Sequence, residues 1–134
     1  MRGVMSESKK RPVVLIGEGD IRYGPSYYRL EVLGKIIPDS IFGENYSLLD
    51  DGKYVATEEW LTTDYVEGPA TRVTIFDLEN DLKCSLEKVE KGFVGEFEKH
   101  GDVFRYRKMY KGKGKIENVE ITWNSLSNWV PFHS

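Results

Sequence analysis

Alanine occurs only at Ala56 and Ala70 among 134 residues, beside 12 valines and 17 aromatic side chains. Alanine is the strongest helix former, whereas β-branched and aromatic residues fit a pleated, half-buried surface. The imbalance excludes a helical bundle and sets an all-β fold as the expectation. A chain of 134 residues is the size of one domain. Ten Leu, eight Ile, twelve Val and six Phe supply enough apolar volume for a core without disulfide or metal support.

The pattern divides into short alternating segments separated by turn residues. Val13–Ile16 predicts a first strand, with Gly17-Glu18-Gly19-Asp20 and Tyr23-Gly24-Pro25-Ser26 as turns. Tyr27–Gly34 alternates as a half-buried strand, with Tyr28, Leu30 and Val32 on one side. Ile36 to Asn45 reads as a loop with short extended pieces, followed by a strand at Tyr46–Leu49. Asp50-Asp51-Gly52-Lys53 is hairpin chemistry, because Asp and Gly tolerate positive φ. Further strands are predicted at Tyr54–Leu61, Thr71–Leu78, Phe93–Phe97, Val103–Tyr110 and Ile116–Trp123. Leu82–Val89 fits both periods and is read as a strand on the strength of its flanks. Any short helix would lie at 82–91 or in the C-terminal tail, whose Leu126, Trp129 and Phe132 are expected to fold back on the core.

The predicted architecture is an antiparallel meander of about eight or nine strands, closed as a barrel or stacked as a sandwich. Residues 1–11 are polar and read as a flexible tail, leaving 12–134 as a single β domain. Asp51-Gly52-Lys53-Tyr54-Val55-Ala56 and the later Ile75-Phe76-Asp77 locally resemble one propeller blade. The chain is too short for a full propeller of blades of about 40 residues, so the resemblance carries no function.

The first apolar run is only four residues long. It is too short for a secretory signal or a membrane helix. A single cysteine, Cys84, suits a reducing compartment, and the expected location is the cytoplasm, with no membrane association. A net charge of −3 gives no basic footprint of the kind a general nucleic-acid binder carries.

Motif chemistry is sparse. There is no nucleophile elbow and no phosphate-cradling P-loop. Gly17-x-Gly19 lacks the third glycine of a dinucleotide site. His100 and His133 are too far apart in sequence for a helical metal pair, and Cys84 stands alone. Asp77–Asp81 has Leu82 where a calcium loop needs glycine, so it reads as a strand-end turn. No metal, no cofactor and no catalytic residue is therefore expected. One hint remains: adjacent strand residues point to opposite faces, so either Glu58 or Glu59 must face the interior. A buried carboxylate of this kind marks candidate functional sites.

Two surfaces fit recognition. The first is acidic and aromatic, formed by Trp60 with Asp64, Tyr65 and Glu67 of the following loop. Aromatics are enriched at binding hot spots, and acidic rims steer basic partners. It predicts a non-catalytic module that binds one protein partner. Small, motif-free, mildly acidic chains of this class include immunity proteins that occlude the active cleft of a cognate toxin. The second surface is the basic hairpin 105–115, with Arg105, Arg107, Lys111, Lys113 and Lys115, which predicts nucleic-acid association as the alternative.

Overall fold

The computed structural model describes residues 13–20, 26–63, 68–110 and 114–132. The tail 1–11, the turn around Gly24 and His133 lie outside them. Twelve strands run in order: β1 (Val13–Asp20), β2 (Ser26–Val32), β3 (Lys35–Ile36), β4 (Ile41–Leu49), β5 (Tyr54–Trp60), β6 (Ala70–Asp77), β7 (Leu82–Ser85), β8 (Val89–Glu90), β9 (Gly92–His100), β10 (Val103–Tyr110), β11 (Lys115–Thr122) and β12 (Val130–Pro131). Three of these, β3, β8 and β12, are two-residue bridges, which leaves nine strands of substance. The only helical pieces among the described residues are two 3-10 turns, Asp50–Gly52 and Trp123–Ser125. None is long and apolar enough to cross a membrane.

The strands form two antiparallel sheets. The larger has the order β1-β2-β4-β5-β6-β7-β12 and is not closed, so the fold is sandwich-like rather than a barrel. The smaller is β11-β10-β9. Residues 82–91 contribute strands, in accord with their flanks, and the ladder Asp77↔Leu82 to Thr74↔Ser85 fixes their register.

The central strands are enclosed on both sides. Every residue from Val55 to Trp60 is buried. Ala56 on β5 and Val73 and Ile75 on β6 face the smaller sheet, where Val94, Phe97, Phe104 and Tyr106 meet them. The opposite face gathers Leu30, Val32, Phe42, Val55 and Phe76 into a second core. The C-terminal tail covers both. Leu126 and Trp129 pack on the first core, and Phe132 meets Phe76 edge-on at 5.4 Å in the second. The connection at Asp50–Gly52 takes three successive positive φ values, 49°, 56° and 90°. Asp and Gly accept that conformation at low cost, so the hairpin forms where the sequence places it.

Two boundaries differ from the sequence reading. Gly17 and Gly19 are not a turn: β1 continues to Asp20 through a bulge, with Gly17 paired to Tyr28 and Gly19 to Tyr27. β4 begins at Ile41, inside the segment read as a loop, and it too is bulged. Glycine inside a strand marks a bulge as readily as a turn.

Candidate functional site

Both faces of β5 are dry, so Glu58 and Glu59 are both buried, at 2% and 5% exposure. The sequence posed them as alternatives; the double-sided packing makes them both interior. Their surroundings differ. Glu59 Oε1 accepts from Arg72 Nε at 2.8 Å and from Thr74 Oγ1 at 2.7 Å, a charge matched by a charge. Glu58 faces the smaller sheet and, among the described residues, touches no cation. Its Oε2 accepts the Val94 backbone N–H at 3.1 Å. Its Oε1 accepts from Trp60 Nε1 and Asn45 Nδ2, both at 3.4 Å.

Burial pushes the Glu58 carboxyl up to about 7, against the pull of those three hydrogen bonds, and the nearby charge of Glu44 pushes the same way. Taking charge out of water costs several kcal/mol, and three neutral donors offset only part of it. Near neutrality Glu58 is therefore divided between acid and carboxylate.

The bulge in β4 makes room for this group. From Phe42↔Glu59 to Tyr46↔Thr57, four steps along β4 match two along β5. Gly43, Glu44 and Asn45 thus bow out opposite Glu58. A Cβ on Gly43 would stand 2.0 Å from Glu58 Oε1 and 2.6 Å from Trp60 Nε1, so only glycine leaves space for the carboxyl. The result is a recess of about 510 Å³ with Glu58 inside, walled by Tyr28, Asn45, Trp60 and Phe93, with exposed Glu44 also lining it. Trp60 and Phe93 lie 5.6 Å apart, joining the two sheets at the wall. Among the described residues that line it there is no Lys, Arg or His.

Of the acidic-aromatic patch read from the sequence, Trp60 is buried and forms part of this wall. Asp64, Tyr65 and Glu67 lie outside the described residues. Phe104 and Tyr106 are core. Arg105 and Arg107 point outward, where Arg105 pairs with Glu120 at 2.7 Å and Arg107 with Glu96 at 3.0 Å. Lys115 lies over the Tyr110 ring at 5.6 Å, and Lys111 and Lys113 lie outside the described residues. Cys84 is buried and donates to the Ser127 carbonyl at 3.1 Å, while His100 is an exposed strand-end side chain. Neither lines the Glu58 recess. Among the described residues no group of three or more His, Cys, Asp and Glu side chains is placed to hold a metal ion. Asp77 caps its strand-end turn by accepting from the Glu79 and Asn80 N–H groups, each at 3.1 Å.

Sequence reasoning did not reach Gly43, Glu44, Asn45 or Phe93. The available signal was a glycine followed by two polar residues inside an otherwise extended segment, which is how a bulge reads. Comparison with family models, with curated proteins and with solved structures gave no match.

Proposed function

We propose that this protein is a non-catalytic binding module that recognises a basic group of one protein partner in the Glu58 recess. The observation that supports it is a buried carboxyl group with no cationic partner among the described residues, set in an open recess with aromatic walls and a second carboxylate nearby. A cation entering there meets charge in a low-dielectric setting, where attraction is stronger than in water. Trp60 and Phe93 add the favourable contact of aromatic rings with cations. The absence of Cys84 and His100 from the recess favours binding over nucleophilic chemistry. The mode of action fits occlusion of a partner's active cleft, as in immunity proteins, in the cytoplasm where a lone thiol stays reduced. The nucleic-acid reading of hairpin 105–115 draws less support, because Arg105 and Arg107 already have carboxylate partners.

The test is titration with N-acetyl-lysinamide, followed at the Val94 amide and the Trp60 indole N–H by NMR. Saturable shifts at both are expected, absent with the uncharged N-acetyl-norleucinamide and lost in Glu58→Gln. No shift at either reporter with the cationic probe at millimolar concentration overturns the assignment. Co-expression with the product of the neighbouring gene then tests the protein-partner reading.

A further inference from the structure

Trp60 is a wall of two recesses, and the second has the opposite character. It measures about 340 Å³ and is lined by Arg29, Asp39, Ser40, Thr62 and Thr63 beside the indole. The described arginines are Arg29, Arg72, Arg105 and Arg107; the last three each contact a carboxylate. Among the described residues Arg29 has none. Its Nη2 donates to the Ile37 carbonyl at 3.0 Å, and its Nε is buried without an acceptor. A guanidinium keeps its charge at any physiological pH and offers five donors in a rigid fork. Asp39 lines the same recess but makes no ion pair with it.

Arg29 and Glu58 stand on one face of the larger sheet. Tyr28 stands opposite Phe42 across β2 and β4, and Ile41 stands opposite Trp60 across β4 and β5. Arg29, Ile41 and Trp60 therefore form one row. Glu58, two residues before Trp60, shares its side of β5. Strand spacing and rise put the Cα atoms of Arg29 and Glu58 roughly 12 Å apart.

We propose that the two recesses form one bipartite site for a dipolar ligand, with its cationic end at Glu58, its oxyanion end at Arg29 and an apolar linker passing the edge of Trp60 between them. The inference rests on the reading of the Glu58 recess as a cation site. A lysine at the carboxyl terminus of a partner chain, or a free ω-amino acid, carries this chemistry.

The experiment compares hexylamine, hexanoate and 6-aminohexanoate by NMR titration of the intact chain, read at the Trp60 indole and Arg29 Nε–H. Two linked contacts act at high effective concentration, so 6-aminohexanoate is expected to bind at least about tenfold more tightly than either single-charge probe. Arg29→Gln should reduce it to the level of hexylamine, and Arg29→Lys should recover part of the loss. An unchanged Val94 amide shift in the free variants verifies that they fold. Equal binding of hexylamine and 6-aminohexanoate overturns the bipartite site and leaves the cation site standing. Absence of binding by both overturns the two together. Peptides ending in lysine with a free or an amidated carboxyl group distinguish a chain terminus from a free amino acid.

Discussion

Glu58 and Glu59 show how neighbouring identical residues acquire different chemistry from the faces they occupy. Glu59 is neutralised by Arg72 and Thr74, while Glu58 has only neutral donors. The raised Glu58 value fixes the sign of a pH effect. Below about 4.5 the group is protonated in both the folded and the unfolded chain. Between there and about 7 the unfolded chain loses its proton first, so stability falls as pH rises and levels off above 7. The expected loss is roughly 3 kcal/mol between pH 4 and pH 8. Denaturant melts across that range should show it, and Glu58→Gln should flatten the profile over the same window. A second expectation concerns Gly43. Gly43→Ala places a methyl against the Glu58 carboxyl and should cost about 1–3 kcal/mol, the usual range for overpacking. In a Glu58→Ala background the part of that cost due to the carboxyl should vanish while the contact with Trp60 Nε1 at 2.6 Å remains, and a double-mutant cycle by urea denaturation measures the difference.

At the level of elements, β9 is the strand that makes a site out of two sheets. Its Val94 N–H reaches Glu58, its Phe93 meets Trp60, and its Lys99 pairs with Asp50 and lies 4.8 Å over Trp123. The tail performs the matching task on the far side, where Phe132 closes the second core. Phe132→Ala removes a side chain 3% exposed and should cost about 3 kcal/mol, seen as a lower melting midpoint. Faster hydrogen exchange in β7 should accompany it, because β12 pairs there. Alternation revealed β2 and β10, since each carries a clear apolar face, and turn residues on either side marked β5 and β6. It could not reveal the start of β4, because a bulge breaks the period at the residues that matter. It also could not show which side of β5 was interior, because a strand dry on both sides has no polar face to mark.

For the molecule as a whole, the architecture was legible and the site was not. Few alanines, frequent β-branched residues and regularly placed turns decide an all-β chain before any contact is known. The choice between barrel and sandwich depends on whether the edges of the larger sheet meet, which local pattern does not encode. The Glu58 recess depends on residues from β2, β4, β5 and β9 converging, so only its central carboxyl and Trp60 were visible beforehand. The two cores lie on opposite faces of β5 and β6: the first joins the two sheets, the second belongs to the larger sheet and the tail, and both depend on the same central strands. Unfolding should therefore be a single transition, with tryptophan fluorescence and far-UV circular dichroism coincident in urea. Non-coincident curves would mean that the three-stranded sheet detaches first.

The bowed segment of β4 also makes chain length a marker of capability. Excising Glu44 and Asn45 would let Tyr46 follow Gly43 and bring the two sides of the hairpin into even step, with the scaffold intact. A relative two residues shorter at this point would inherit the architecture without the cavity, and on the proposed reading it would hold no cation there.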